Sequence, residues 1–309
     1  MEIRLRQTYS FHQTGQRDNQ EDSRSPDCDA PSAACRTFVV CDGVGGQDKG
    51  EVASRIVANA LSDYMARVDT SRPFTPADFG KALTCAYKAL AEAGNKSNKG
   101  MATTLTFLCI NGGGALAAHI GDSRIYHLRP GGGILYRSSD HSWVNAMVHC
   151  GNLTPQEAIN HPHSNYITRC MQNEDDAADK RSPASVLQIT DIEAGDYFFL
   201  CSDGVLHNID DEKLMSIVES GLSDKDKMDT IAALSRDSTD NNTAFLIPVD
   251  EVVADSDNNS DEGACPAEDH AKEDTTVIID KRNVVEDICA EQQSWHEKVS
   301  SFLKRLMTS

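Results

Sequence analysis

Phe38-Val39-Val40-Cys41-Asp42-Gly43-Val44-Gly45-Gly46 is the stretch on which the reading of this chain turns. A short apolar run ends in an aspartate, and glycines that allow a sharp backbone turn follow at once. The same design returns at Tyr197-Phe198-Phe199-Leu200-Cys201-Ser202-Asp203-Gly204. Each reads as a buried strand that delivers one carboxylate to the edge of a sheet and then breaks. Two such carboxylates from distant parts of the chain suggest a shared site for hard cations, since Mg²⁺ and Mn²⁺ prefer oxygen ligands. Ordinary Asp-Gly turn chemistry produces the same local pattern, so the pair alone leaves both readings open.

Working outward, three more acidic motifs join these two: Arg17-Asp18-Asn19-Gln20-Glu21-Asp22, Gly121-Asp122-Ser123 and Asp240-Asn241-Asn242-Thr243. Four of the five place an aspartate where an apolar run starts or stops: Ala115–Ile120 precedes Asp122, and Ala244–Ile247 follows Asp240. Any one aspartate is adequately explained as a turn or cap residue. Five together are not. If the strand ends converge, their carboxylates are too crowded to stay ionised without cations, and divalent ions relieve that repulsion.

The chain has 309 residues, 39% of them apolar, enough for a substantial core. A net charge of −19 argues against nucleic acid as a partner, because a phosphate backbone would be repelled. The acidity is uneven: residues 250–274 hold ten acidic side chains and one lysine. The ten cysteines are scattered, without a CxxC pair or a Cys/His cluster at zinc spacing. Cys41, Cys109 and Cys201 sit inside apolar runs, as small buried hydrophobes do. Met1–Arg6 lacks the apolar core of a signal peptide, and no run approaches the ~20 apolar residues of a membrane span. A cytoplasmic protein without membrane attachment is expected.

Strand-like runs alternate with a few helical ones up to residue 249. An opening strand over Ile3–His12 is followed by apolar positions at helical spacing over Gly50–Val68 and Pro76–Ala93. Strands are expected at Thr103–Ile110, Ala115–Ile120 and Arg124–Leu128, with Gly112-Gly113-Gly114 as a hairpin turn. A second glycine turn, Gly131–Gly133, leads into Ile134-Leu135-Tyr136. Helices are expected over Trp143–Cys150 and from the capping tetrad Thr154-Pro155-Gln156-Glu157. Ser185–Ile189 and Asp196–Cys201 read as strands, Asp211–Ser220 and Lys225–Arg236 as helices, and Ala244–Val249 as the closing strand. This order favours sheets covered by helices over a doubly wound parallel sheet.

The order and spacing of these blocks resemble the metal-dependent protein serine/threonine phosphatases of the protein phosphatase 2C (PPM) type, most closely their bacterial branch. The resemblance covers residues 1–249. It runs through Arg17…Glu21-Asp22, Asp42-Gly43-Val44-Gly45-Gly46, Gly50-Glu51-Val52-Ala53-Ser54 and Met101-Ala102-Thr103-Thr104. It continues with Gly121-Asp122-Ser123-Arg124, Asp140-His141-Ser142, Ile167-Thr168-Arg169, Ser202-Asp203-Gly204 and Asp240-Asn241. The resemblance implies an α+β fold, a four-layer α-β-β-α sandwich of two antiparallel sheets flanked by helices, with a dimetal site at one end. By position, Asp42 bridges two Mn²⁺ or Mg²⁺ ions and the Gly43 carbonyl serves one of them. Asp203 and Asp240 ligate one ion, and Glu21 and Asp22 act mainly through bound waters. Arg17 grips the substrate phosphate with its planar fork, and Asp122 holds a weaker third ion. The implied reaction is hydrolysis of phosphoserine and phosphothreonine in proteins by a dimetal-activated water, with no phosphoenzyme. A cognate Ser/Thr kinase and its substrates are the implied partners.

Two positions depart from parts of the family. Val44 stands where eukaryotic members have a histidine proposed as general acid, as in bacterial relatives, and a metal-bound water is then the expected proton donor. His207 stands where an aspartate for the third metal is usual. It is either an altered ligand or simply the start of a helix. His141 is read as structural, and His161-Pro162-His163 falls in a region that forms a flap near the site in relatives. Residues 250–280 are expected to be a disordered acidic linker and 281–309 an amphipathic helix that docks on the catalytic domain or binds a protein partner. The competing functional reading is a catalytically weak scaffold or phosphoprotein-binding regulator. It gives no reason to hold so much negative charge together.

Overall fold

The computed structural model describes residues 1–44, 49–94, 100–159, 161–173 and 181–253. Gly45-Gly46, the expected C-terminal helix and all but the first four residues of the expected linker lie outside the described residues. Met1–Ser142 together with Ile167–Asp255 makes one compact unit, and Trp143–Tyr166 belongs to another.

In the first unit the chain opens with β1 (Glu2–Leu5), β2 (Tyr9–Gln13), β3 (Ser23–Ser25), β4 (Thr37–Cys41) and β5 (Gly43–Val44). Two long helices, α1 (Lys49–Met65) and α2 (Pro76–Ala93), precede β6 (Ala102–Thr103), β7 (Leu105–Asn111), β8 (Gly114–Ile120), β9 (Arg124–Arg129) and β10 (Gly133–Arg137). The Trp143–Tyr166 unit holds α3 (Trp143–His149) and α4 (Pro155–Ile159). The first unit resumes with β11 (Met171–Gln172), β12 (Ser185–Ile189), β13 (Tyr197–Cys201), α5 (Asp203–Leu206), α6 (Asp211–Glu219), α7 (Asp224–Ser235) and β14 (Asn242–Val253).

Two antiparallel sheets dominate. One runs β1-β14-β13-β9-β10, with β2 also paired to β14; the other runs β12-β8-β7-β4-β3. A small third sheet, β11-β6-β5, adjoins them in sequence. The apolar runs are continuous because their strands are buried on both faces. In β4, Phe38 and Val40 meet Phe198, Leu200, Phe245 and Ile247 of the opposite sheet, whereas Val39 and Cys41 pack with Leu61, Phe79 and Ala86 of α1 and α2. On the far side, Phe199, Cys201 and Leu246 pack with Leu214, Val218, Met228 and Ile231 of α6 and α7. Helices, sheet, sheet, helices: these are the four layers expected. The inner layer is tied by Phe38 and Phe245, whose rings meet edge-on at 5.5 Å; truncating such a buried phenylalanine costs about 3–5 kcal/mol.

Local signals account for the helix ends. At α2, Thr75 Oγ1 accepts from the Asp78 N–H while Asp78 accepts from the Thr75 N–H, and Pro76 opens the first turn. At α4, Thr154 and Glu157 make the same reciprocal pair, as the tetrad predicts.

Three expectations need correction. Ile3–His12 is two strands, Glu2–Leu5 and Tyr9–Gln13, both paired to β14: the ladder breaks at Gln7 and Thr8, after Arg6, whose N–H still donates to the Pro248 carbonyl of β14. Thr103–Ile110 divides at Thr104, whose N–H goes to the Asp42 carbonyl instead of to a strand partner. β14 runs to Val253, four residues into the expected linker, because Val252 and Val253 pair with Ile3 and Glu2 of β1.

Candidate active site

Strand register brings the acidic motifs together. Thr106 pairs with Val40, and Leu105 with Ile120, so the end of β4 and the end of β8 lie at the same edge. In the other sheet Cys201 pairs with both Ala244 and Arg124. Asp42, Asp122, Asp203 and Asp240 therefore leave their strands at one end of the sandwich.

Thr104 clamps the Asp42 turn: its N–H donates to the Asp42 carbonyl at 2.8 Å, and its hydroxyl accepts from the Asp42 N–H at 3.0 Å. The Gly43 N–H donates to the Glu21 carbonyl at 3.1 Å. Gly43 and Gly50 pack against each other so closely that a Cβ on Gly43 would lie 2.3 Å from the Gly50 backbone. That approach brings the Glu21 carboxylate over the first turn of α1, where a helix N-terminus favours negative charge.

Asp22 is 3% exposed. Its Oδ2 accepts from Ser202 and Thr243 hydroxyls at 2.8 and 2.7 Å, while its Oδ1 has no hydrogen-bond partner. A polar cavity of about 580 Å³ lined by Asp22, Arg24, Glu51 and Arg55 opens beside it. Asp203 does not end its segment in a simple break; it starts α5, and its Oδ1 is likewise buried without a partner. His207 caps the end of α5 instead of starting a helix. Ser238 Oγ donates to the Gly204 carbonyl at 2.7 Å and so accepts from His207 Nδ1 at 3.2 Å, which leaves the Nε2 lone pair of an exposed ring available.

Arg17 donates to Asp240 Oδ2 at 2.6 Å and to the Thr239 carbonyl at 3.2 Å. Asn241 holds the loop that carries Arg17 and Glu21: its amide nitrogen donates to the Thr14 and Asn19 carbonyls, and its oxygen accepts from the Glu21 N–H.

The electrostatics are those of an acid cluster in a low-dielectric wall. Burial, then the charges of Asp22, Asp203 and Asp122, push the Asp42 carboxyl well above the usual range. Asp42 is hydrogen-bonded to Asp203, which burial and Asp240 also push up. Asp22 and Asp122 are each raised to about 7, burial being the largest cause for both. Among the described residues, no three His, Cys, Asp or Glu side chains converge as a ready-made ligand set. Asp42 and Asp203 face each other and Asp240 faces Arg17 instead. An ion such as Mg²⁺ is usually held by one or two carboxylates with water completing its shell. The donors here suit that mode: hard oxygens throughout, with Asp22 Oδ1 and Asp203 Oδ1 buried and unpartnered.

The hydroxyls of Thr104, Ser202 and Thr243, on which the carboxylates depend, were not among the sequence candidates. Serine and threonine at strand ends look like ordinary turn residues. For Ser202 and Thr243 the one signal was their adjacency to Asp203 and to the Asp240-Asn241 block, and for Thr104 its place in the Met101-Ala102-Thr103-Thr104 block. In the Trp143–Tyr166 unit, the Trp143 and His161 rings lie 5.0 Å apart, and His163 lies 4.5 Å from Tyr166.

An α-β-β-α sandwich that gathers oxygen ligands and an arginine at one end of its sheets defines a metal-dependent phosphatase architecture. The chain belongs to the protein phosphatase 2C family, whose model matches residues 14–236. It is 33% identical over 228 residues to the protein phosphatase PhpP of Streptococcus pneumoniae, an alignment spanning 72% of this chain and 89% of the relative. The serine/threonine phosphatase PstP of Mycobacterium tuberculosis superposes with a TM-score of 0.67 at 27% identity, over 81% of this chain and all of that one. A PstP catalytic domain in complex with two manganese ions matches with a TM-score of 0.64 at 26% identity, over 81% of this chain and 100% of that one.

Proposed function

We propose that this chain hydrolyses phosphoserine and phosphothreonine in proteins, using two divalent cations, Mn²⁺ or Mg²⁺, and a weaker third. The observation that carries the reading is the group of Asp22, Asp42, Asp122 and Asp203 at one end of the sheets, Asp22 buried and the other three half-buried, beside Arg17. Asp42, the Gly43 carbonyl, Asp203 and Asp240 would hold the two tighter ions, with Glu21 and Asp22 contributing through water. Asp122 would hold the third, and the Nε2 of His207 is the nitrogen open to it. Bound cations supply Lewis acidity, lowering the pKa of water and neutralising charge on the phosphoryl oxygens.

The protein's own groups do the rest. Cations would compete with protons at Asp42, Asp22 and Asp122, whose pKa values burial raises, so binding should tighten as pH rises. Arg17 has further N–H donors beyond those on Asp240 and Thr239, and its fork suits a bidentate phosphate contact that orients the ester. Cys41 and Cys201 adjoin the cluster but are fully buried, and burial beside the carboxylates holds them as thiols. That supports direct attack by water without a cysteinyl-phosphate.

Cys41, Cys109 and Cys201 are buried free thiols, which supports a reducing compartment such as the cytoplasm. Among the described residues no helix is long and apolar enough to cross a membrane. Phosphoproteins, and a Ser/Thr kinase that makes them, are the proposed partners. Residues 281–309 are proposed to dock on the catalytic domain or on a partner.

Hydrolysis of a chromogenic aryl phosphate tests the reading. Activity should require Mn²⁺ or Mg²⁺, vanish with chelator and vanish in Asp42→Ala. Metal-independent turnover, or an active Asp42→Ala, would overturn it.

A further inference from the structure

The turn that carries Asp122 is braced on both sides by one short stretch, Asp140-His141-Ser142. His141 takes both backbone groups of Gly121: its N–H donates to the Gly121 carbonyl at 2.9 Å, and its ring Nδ1 accepts from the Gly121 N–H at 3.1 Å. Asp140 receives the Arg124 guanidinium through two bonds of 2.7 Å. Asp122 thus leaves the chain between two fixed points.

The ring of His141 is itself fixed. Because Nδ1 accepts an N–H, the ring proton resides on Nε2, which donates to Ser185 Oγ at 2.9 Å. The ring stacks on His119 with centroids 4.5 Å apart. Gly121 adopts φ +104°, and a Cβ there would lie 2.7 Å from the Thr104 side chain. Thr104 also clamps Asp42 and shares a 2.8 Å hydrogen bond with Ser123 Oγ. One scaffold therefore sets both the Asp42 and the Asp122 turns.

We infer that His141 is a positioning residue for the cation at Asp122: Nδ1, held as an acceptor, fixes the Gly121 peptide and so the direction in which Asp122 departs. The inference rests on the reading of Asp122 as a ligand of the weaker third ion. It assigns His141 no contact with substrate.

Titration of the full chain with Mn²⁺, followed by the electron paramagnetic resonance signal of the free aquo-ion, tests it. His141→Asn keeps an acceptor oxygen near the Nδ1 position. His141→Gln carries its amide out to the Nε2 position and leaves the Gly121 N–H without an acceptor. The weakest Mn²⁺ should bind about tenfold or more weakly in His141→Gln, the loss typical of groups that orient ligands. The tighter ions should be unchanged, and His141→Asn should remain within about threefold of wild type. Asp122→Asn should remove the weak phase altogether. If Asp122→Asn removes that phase but His141→Gln binds as wild type does, the inference is overturned. Equal losses in His141→Asn and His141→Gln overturn it too, since they mark a purely structural role. A wild-type isotherm from Asp122→Asn instead overturns the underlying assignment of Asp122. Should His141→Gln fail to fold, Ser185→Ala takes its place, with a loss of the weak ion of about threefold or more. An unchanged isotherm for Ser185→Ala then counts against the proposal.

Discussion

Arg17 and Asp240, 223 positions apart in the chain, form an ion pair of 2.6 Å in which the arginine side chain is 56% exposed. An exposed pair of this kind contributes little to stability, so its geometry is better explained by what else the guanidinium can hold. On the proposed function, a phosphate dianion would compete with Asp240 for the same planar fork.

Arg17→Ala should therefore reduce kcat/KM toward an aryl phosphate by about 10- to 150-fold, the equivalent of a charge-assisted hydrogen bond worth 1.5–3 kcal/mol. Thermal stability should move by no more than about 0.5 kcal/mol. Arg17→Lys keeps the charge but not the fork and should recover only part of the loss. Unchanged kinetics in Arg17→Ala would show that the arginine serves the fold alone.

Removing Asp42 should separate stability from metal binding. Burial and neighbouring acids push this carboxyl well above the usual range, so Asp42→Asn in chelator should melt at or above the wild-type temperature. With Mn²⁺ at 100 times its dissociation constant the wild type should gain about 2.7 kcal/mol, and the variant should gain far less. Differential scanning fluorimetry with and without Mn²⁺ measures both. An equal Mn²⁺ shift in the two proteins would contradict the assignment.

Much of this was legible in the sequence, and what was not has physical causes. The bounds of α2 at Pro76 and Ala93 were readable because Thr75, Pro76 and Asp78 carry the capping chemistry explicitly. The runs at Phe38 and Tyr197 were readable as strands because both faces are buried. β3, β5 and β11 span two or three residues each, too few to show a period. α5 was missed because Asp203-Gly204 looks like a turn, yet it opens a single helical turn. The gathering of the acids followed from their positions at strand ends. The Arg17–Asp240 pair and the Thr104 clamp did not, because each depends on side chains from unrelated segments.

Thr104 offers a test of that clamp. Thr104→Val preserves shape but leaves the buried Asp42 N–H without its acceptor, costing about 1–3 kcal/mol. Thr104→Ser should lose less. Metal affinity should fall in the valine variant and recover in the serine variant; urea unfolding and Mn²⁺ titration read the two effects. Equal metal affinity in all three proteins would contradict a positioning role for the hydroxyl.

His127 should give the protein a pH dependence independent of the carboxylate cluster. It is 2% exposed and 2.7 Å from Asp196, and burial lowers its pKa in the fold. The unfolded chain takes up a proton below about pH 6.5 that the folded chain resists, so this contribution to stability is lost as pH falls through that value. Comparing wild type with His127→Gln in chelator, the wild-type advantage should shrink between about pH 7.5 and 5.5. A constant difference would show that the fold leaves the imidazole unshifted, and one that grows on acidification would show that Asp196 keeps it charged.

The most direct test of the central claim is anomalous diffraction from crystals of the full chain grown with Mn²⁺, recorded above the manganese absorption edge. At least two peaks should appear within about 2.0–2.6 Å of carboxylate oxygens, with Asp42 and Asp203 among the ligands. Peaks absent from this end of the sandwich, or bound by side chains elsewhere, would contradict it.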